Sequence, residues 1–269
     1  MSLAVDLGTW KQGRLWRGAS SFGRWVSPVV LLLVWELGAR TGIIPERVLA
    51  APSSVLATMW AMTISGELPL NVLVSLGRAA AGLTIGVTVG SVFALVAGLS
   101  KRGELAVDPP LQMLRTLPAL ALSPLLIVWM GIGEVPKIAL IAYATSFPIY
   151  LNLYNGVRGA DLKLVEAART FGLSKLEVVR HVILPAALPS FLVGFRYALS
   201  VSVLILVAAE QINAQAGLGY LINNARDFSR TDILVVCLLV YALLGLGADY
   251  IVRNLERRAL AWRPSLVRS

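Results

Sequence analysis

The amino-acid sequence predicts an all-α membrane protein with six transmembrane helices and both termini in the cytoplasm. Of the 269 residues, 57% are hydrophobic and only 14% are charged, and the mean hydropathy is +0.74. This composition is typical of polytopic membrane proteins and unlike that of soluble domains. The apolar residues fall into six long runs, and the basic residues are concentrated in some of the segments between them.

The six predicted spans form one transmembrane domain, residues 25–255, between two short basic segments. The spans lie at about residues 25–42, 71–99, 116–132, 136–156, 187–210 and 232–252. Residues 1–24 carry the Arg, Lys and Trp residues of a cytoplasmic lead-in to a first span, and residues 256–269 form a cytoplasmic tail. A signal peptide is the competing interpretation of the N-terminus. The long basic region and the lack of an A-x-A site after the first apolar run favour an uncleaved span.

Two spans carry features that predict how they pack. The second has 29 residues, which reach roughly 43 Å at ~1.5 Å per residue, whereas the hydrocarbon core is ~30 Å thick. This helix must therefore tilt or project. Gly82, Gly86 and Gly90 repeat in it every four residues, a spacing that allows close contact with a neighbouring helix. The third span begins near Pro118 and contains Pro124, which predicts a kink or a break.

The distribution of basic residues supports the proposed topology. With both termini in the cytoplasm, 17 of the 24 Lys and Arg residues lie in cytoplasmic segments and five lie in outer segments. The other two, Arg78 and Arg196, lie within spans. Cytoplasmic loops of membrane proteins carry an excess of Lys and Arg. Orientation in a lipid bilayer thus explains the net charge of +9, and no nucleic-acid partner is expected.

A polar loop, residues 157–186, separates the fourth and fifth spans. Asp161 is suited to cap the start of a first helix, and Gly172 is suited to end it in the left-handed conformation. Ser174 and Glu177 match the S-x-x-E capping box that begins a second helix. The sequence therefore predicts two short helices in this loop, on the cytoplasmic side.

The same loop contains a long, spaced motif from Glu166 to Pro185. It reads E-A-A, three residues, G, nine residues, then V-x-L-P. Leu184 and Pro185 are also expected to end the second helix, since proline lacks an N–H. The motif resembles the EAA loop of ATP-binding-cassette importer permeases, with Val182 where Ile is usual. In that family the loop docks into a groove on the cytoplasmic ATPase subunit and transmits its closure to the membrane. The resemblance implies that the coupling residues are Glu166, Ala167, Ala168, Phe171, Gly172, Leu184 and Pro185.

Further stretches are similar to one branch of this family, the permeases for nitrate, sulfonate, taurine and bicarbonate. They are residues 75–78, 114–133, 147–152 and 217–232. The resemblance runs from about residue 28 to residue 258 and is strongest to aliphatic sulfonate permeases. It implies a type I importer-like fold in the bacterial inner membrane. It also implies two cytoplasmic ATPase subunits, a periplasmic solute-binding protein and a second permease copy. The residues leave open whether that copy is identical or a paired, different permease.

The sequence contains no phosphate-binding loop of the form G-x-x-x-x-G-K-[ST]. ATP and Mg are therefore expected to bind to the partner ATPase, and this chain is expected to be a non-catalytic transport subunit without a cofactor. The single Cys237 lies in an apolar run and His181 is the only histidine. These two residues predict neither a disulfide framework nor a metal site.

Charged residues within spans are functional candidates, because burying them in a membrane is costly. Arg196 lies about seven residues into the fifth span and is a candidate for the substrate path, where it would attract an oxyanion. The alternative is a bond to a neighbouring acid or to backbone carbonyls. Arg78 is expected near the outer boundary, where it can snorkel. Glu210 ends the fifth span and is expected either to contact the outer gate or to be solvated.

Two other classes of membrane protein compete with an ATP-driven importer. An ATPase-independent channel or secondary transporter would move solute as the isolated chain, but no proton relay is evident among Glu36, Glu210 and Asp249. An intramembrane enzyme would need a nucleophile or metal cluster, and no such motif is present. The substrate also stays open: an aliphatic sulfonate is the first choice, and nitrate, taurine, bicarbonate or another small solute are the alternatives.

Overall fold

The computed structural model describes residues 21–260, with side chains from residue 26 onward. Residues 1–20 and 261–269, which hold most of the predicted lead-in and tail, lie outside the described residues. Within the described range the chain forms eleven α-helices. In order they are α1 (Ser21–Arg40), α2 (Pro52–Ile64), α3 (Glu67–Leu99), α4 (Lys101–Arg115), α5 (Ser123–Met130), α6 (Glu134–Arg158), α7 (Leu162–Thr170), α8 (Lys175–Val178), α9 (Leu184–Glu210), α10 (Leu218–Asp227) and α11 (Thr231–Ala259). A 3-10 turn, Ala119–Leu122, precedes α5, and a π-helical turn, Val179–Ile183, joins α8 to α9.

The centre of the protein consists of α6 packed along both α3 and α9. The glycines predicted to allow close packing lie on the face of α3 that meets α6. A Cβ at Gly82 would lie 2.6 Å from the Cβ of Ile141, and one at Gly86 would lie 2.6 Å from the carbonyl oxygen of Ala142. Gly90 is buried one turn further along. Because no larger residue would fit, the predicted packing role of these glycines is confirmed.

Three helices in the described part of the chain are long and apolar enough to cross a membrane: α3, the continuous helix Lys175–Glu210, and α11. The pair Lys101–Arg115 and Ala119–Met130, bent by 91°, would make a fourth as one broken span. The 33 residues of α3 extend roughly 50 Å, more than the ~30 Å hydrocarbon core, in agreement with the predicted tilt or projection. The count of six spans and the side on which the termini lie stay predictions.

Residues 101–115, which lie between the second and third predicted spans, form a helix. The hydroxyl of Ser100 caps the N-terminus of α4, and the phenol of Tyr150 on α6 donates a hydrogen bond of 2.6 Å to Asp108. These contacts stabilise a helix whose sequence is too polar to be recognised as part of a span. The predicted break near Pro118 is confirmed, because α4 ends at Arg115 and the bend follows.

The expectation that Leu184 and Pro185 end the second helix of the loop is wrong. Helix α8 continues through the π-helical turn into α9, and Lys175–Glu210 is one continuous helix of 36 residues. Pro185 lies in the first turn of α9. The wider π turn changes the hydrogen-bonding register just before the proline, so the helix passes through it without a break.

Helices α1 and α2 are joined by one carboxylate. Glu36 pairs with Arg40 at 2.5 Å, as their i,i+4 spacing predicts. The same carboxylate accepts from the backbone N–H of Ser53 at 3.0 Å and from its hydroxyl at 2.7 Å. The N-cap residue Ala51 has no side-chain bond, so Glu36 of the neighbouring helix satisfies this helix end.

Candidate functional site

The loop of residues 157–186, hereafter the coupling loop, has the helix caps that its sequence predicts. The carboxylate of Asp161 accepts from the backbone N–H of Lys163 at 2.9 Å. Gly172 follows α7 with φ +85°, a conformation that glycine adopts readily. Ser174 and Glu177 form both bonds of the capping box. These caps stabilise the short helix α7 and the N-terminus of the long helix Lys175–Glu210.

Several large apolar side chains of the coupling loop are exposed. The exposed fraction is 84% for Phe171, 77% for Leu176 and 58% for Leu164. Ala168 and Val178 are buried, whereas these larger apolar side chains lie outside. Exposed apolar side chains grouped in this way mark an interaction surface. The capped helices thus present a preformed, exposed apolar knob.

A second group of polar residues, most of them buried, lies at the opposite end of α9, and we call it the Arg78 cluster. Its members are Asn71, Ser75, Arg78, Glu134, Lys137, Glu210 and Tyr241. The Glu210 side chain is 0% exposed and lies 2.6 Å from Nη1 of Arg78, which is 4% exposed. The hydroxyl groups of Ser75 and Tyr241 also donate to Glu210, at 2.7 and 2.9 Å. The carboxylate therefore joins α3, α9 and α11 through charge-assisted hydrogen bonds.

The N-terminus of α10 closes onto the Arg78 cluster. The backbone N–H of Gly217 donates to Asn71 at 2.7 Å, and that of Gly219 donates to Glu210 at 3.0 Å. The N-terminus of a helix attracts negative charge, so Glu210 is well placed there. Gly217 has φ +105°, and a Cβ on it would lie 2.5 Å from the Glu210 carboxylate. Only glycine allows the backbone this close to the ion pair.

The other side of the Arg78 cluster is open to solvent. Arg78 donates through Nε and Nη2 to the carboxylate of Glu134, with the Nη2 bond at 2.7 Å. The Lys137 ammonium lies 3.2 Å from the same carboxylate. The Lys137 side chain is 6% exposed, whereas that of Glu134 is 54% exposed. Two buried cations therefore share one carboxylate that is half in solvent.

The fold and the coupling loop agree with one protein family. Residues 82–260 match the family described as binding-protein-dependent transport system inner membrane component. This chain belongs to that family.

Two of its relatives are the permease proteins SsuC of Escherichia coli and Bacillus subtilis, both named for aliphatic sulfonate transport. They are 46% and 42% identical to this permease over 90% and 88% of its length, which is 92% and 86% of theirs. The taurine transport system permease TauC of Escherichia coli is 35% identical over 87% of this chain and 86% of its own.

Solved structures agree with the type I importer fold of this permease. A chain of an amino acid ABC transporter crystallised with histidines superposes with a TM-score of 0.58 at 20% identity, covering 76% of this permease and 96% of that chain. A chain of the inward-facing MetNI methionine transporter gives a TM-score of 0.55 at 21% identity, covering 67% and 92%. The permease is thus a subunit of an ABC importer, a class of machine that works with ATPase and solute-binding partners.

The structure excludes snorkelling for Arg78 and, for Glu210, solvation, which was one of its two expected alternatives. Arg78 does not snorkel, because it is 4% exposed and its guanidinium is held by two carboxylates. Glu210 is not solvated, because it is completely buried. Sequence reasoning also missed Ser75, Glu134 and Tyr241 as their partners. The sequence motifs at residues 75–78 and 217–232 include some of the residues that form the Arg78 cluster. Nothing in these motifs indicates that the two segments lie in contact.

Arg196 has a partner on the neighbouring helix. Its Nη2 lies 3.0 Å from a carboxylate oxygen of Asp249, and the Arg196 side chain is 45% exposed. Asp249 also pairs with Arg253 at 2.6 Å, as the i,i+4 spacing predicts. Asp249 is thus the neighbouring acid of the alternative interpretation, in which Arg196 forms an ion pair and does not attract substrate. It does not bring Arg196 and Glu210 into contact.

Proposed function

We propose that this permease translocates aliphatic sulfonates that a periplasmic binding protein delivers, in the bacterial inner membrane. It works as a homodimer of six-span subunits, residues 25–255, with both termini in the cytoplasm and two ATPase subunits bound to the coupling loops. ATP and Mg bind to the ATPase, and the permease itself is neither catalytic nor cofactor-bearing. The observation that carries the proposal is the capped, exposed apolar knob of the coupling loop. The substrate rests on the SsuC relatives.

The helix that follows the knob connects it to the other end of the protein. Lys175–Glu210 is continuous and, with 36 residues, about 54 Å long. It begins with α8 at the docking knob and ends at Glu210 in the Arg78 cluster. ATP-driven closure of the ATPase dimer moves α8, and a rigid helix transmits this movement to the cluster. The outer ends of α3, α6 and α10 then rearrange, which gives the permease alternating access.

The substrate is tested by uptake into proteoliposomes that contain the permease and its cognate ATPase in the membrane. ATP is enclosed in the lumen, and the binding protein is added outside. We expect ATP-dependent uptake of labelled ethanesulfonate, with taurine as the competing substrate because TauC is also a relative. Nitrate and bicarbonate serve as further competitors. Sulfonate uptake without ATPase would favour a secondary transporter or channel. Uptake of nitrate or bicarbonate alone would support an ATP-driven importer but contradict the proposed sulfonate substrate.

Arg196 stays a proposed residue of the substrate path. Its exposed fraction of 45% leaves the guanidinium accessible although Asp249 neutralises part of its charge. An Arg196→Ala substitution should lower sulfonate uptake several-fold and leave ATPase binding intact. Arg196 lies about 18 Å along α9 from Leu184, the end next to the coupling loop. Normal uptake by this variant would remove the residue from the path.

A further inference from the structure

The open half of the Arg78 cluster has the composition of an anion site. Arg78 presents two N–H groups in a fork, and the Lys137 ammonium lies beside them. A guanidinium fork matches the geometry of planar or tetrahedral oxyanions such as carboxylate, phosphate and sulfonate. The occupant of this fork is the Glu134 carboxylate, which has the chemistry of a ligand and belongs to the chain itself.

Glu134 is the replaceable partner among these charges. Its side chain is 54% exposed, so water can solvate it when it leaves the fork. It follows a turn in which Gly131 has φ +79°, a conformation favoured by glycine. Arg78 keeps its other partner, the completely buried Glu210, at 2.6 Å. Release of Glu134 therefore leaves the core of the cluster in place.

The charges balance only when one anion occupies the fork. Arg78 and Lys137 carry two positive charges, and the buried Glu210 carries one negative charge. With Glu134 turned into solvent the buried groups have a net charge of +1, which is costly unless a second anion replaces it. A monovalent oxyanion would restore neutrality.

An apolar cleft adjoins Lys137. It is small, with an inner volume of about 20 Å³, and its lining includes Lys137 together with Ile127, Pro136 and Leu140. Ser123 and Asn213 are the polar side chains among its lining residues. The cleft therefore offers apolar surface next to the Lys137 ammonium, a combination that suits a short alkyl group beside an anionic head.

We propose that Glu134 occupies an oxyanion site formed by Arg78 and Lys137, and that the sulfonate head of the substrate displaces it with the alkyl group in the adjoining cleft. This inference rests on the proposed function, because it names the residues that receive the sulfonate. Glu134 then acts as an internal competitor that keeps the buried cations neutral between transport cycles.

Binding of ethanesulfonate to the assembled permease–ATPase complex, without binding protein, tests the proposal. The apparent Kd is measured from the ligand-dependent rise in melting temperature in detergent. Lys137→Met should raise the Kd by roughly tenfold or more, since a buried charge-assisted contact is lost. Glu134→Gln should lower the Kd, because the amide carries no negative charge to compete for the fork.

Arg226→Gln, which removes an exposed positive charge near the end of α10, is the matched control and should leave the Kd unchanged. Gel filtration checks that each complex assembles. An unchanged Kd in Lys137→Met, or an unchanged or raised Kd in Glu134→Gln, would overturn the proposal. Failure of the parent complex to take up any sulfonate would instead refute the proposed function, so the two failures are distinguishable.

Discussion

Replacing Glu210 by alanine is expected to lower the free energy of unfolding by about 3–5 kcal/mol, because removal of one partner leaves a buried charge without compensation. Arg78, 4% exposed, would retain the half-exposed Glu134 as its one carboxylate partner, beside the backbone carbonyl of Ala216. Ser75, Tyr241 and the backbone N–H of Gly219 would lose their acceptor. The change is measured as the melting temperature of the purified permease in detergent. The expected loss of stability is large because the Glu210 carboxylate joins several helices.

Two further variants make this expectation specific. The double substitution Arg78→Met with Glu210→Met should recover part of the lost stability, since replacing both buried charges by apolar groups leaves neither unpaired. Arg253→Ala breaks a pair in which Arg253 is 58% exposed, and it should cost no more than about 1 kcal/mol. A Glu210→Ala permease as stable as its parent would mean that the Arg78 cluster does not hold the helices together.

Replacing Phe171 by aspartate is expected to separate the permease from its ATPase. The side chain is 84% exposed, so the substitution removes little packing within the permease. In an interface a buried aromatic anchor contributes about 2 kcal/mol or more, which corresponds to a roughly 30-fold loss of affinity. Co-purification with a tagged ATPase measures the loss, and ATP-driven uptake should fall with it.

Phe228 provides the matched control for this prediction. It is 75% exposed and follows α10 at the end of the protein where Glu210 lies, about 40 Å along α9 from the coupling loop. Phe228→Asp makes the same chemical change and should leave ATPase binding unaffected. If Phe171→Asp co-purified with ATPase as well as the parent does, the knob would not be the docking surface.

The coupling loop shows how far local sequence can predict structure. The Asp161 cap, the left-handed Gly172 and the capping box of Ser174 and Glu177 all depend on atoms within one helical turn. The glycine repeat of α3 is equally readable, because its spacing alone places the three residues on one face. Both features were therefore predictable down to single residues.

Helices α4 and α9 show where local rules are insufficient. Proline is a strong breaker of helices, yet the chain continues through Pro185 because a π turn precedes it and α9 is held by packing against α6 and α3. α4 contains two prolines and little hydrophobic character, but contacts with α6 stabilise it. In both cases tertiary packing outweighed the local preference.

The sequence by itself determined that this protein lies in a membrane, that its loop between α6 and α9 is a capped helix pair, and that the loop carries the motif of an ATPase-driven permease. Only the tertiary structure decided which charges meet. Arg78 and Glu210 are 132 residues apart in the chain and belong to different helices. Their pairing depends on how three long helices pack, and neither composition nor spacing encodes that arrangement locally. Because an isolated charge is costly in an apolar interior, the sequence predicts that each of these residues has a partner. It does not predict which residue that partner is.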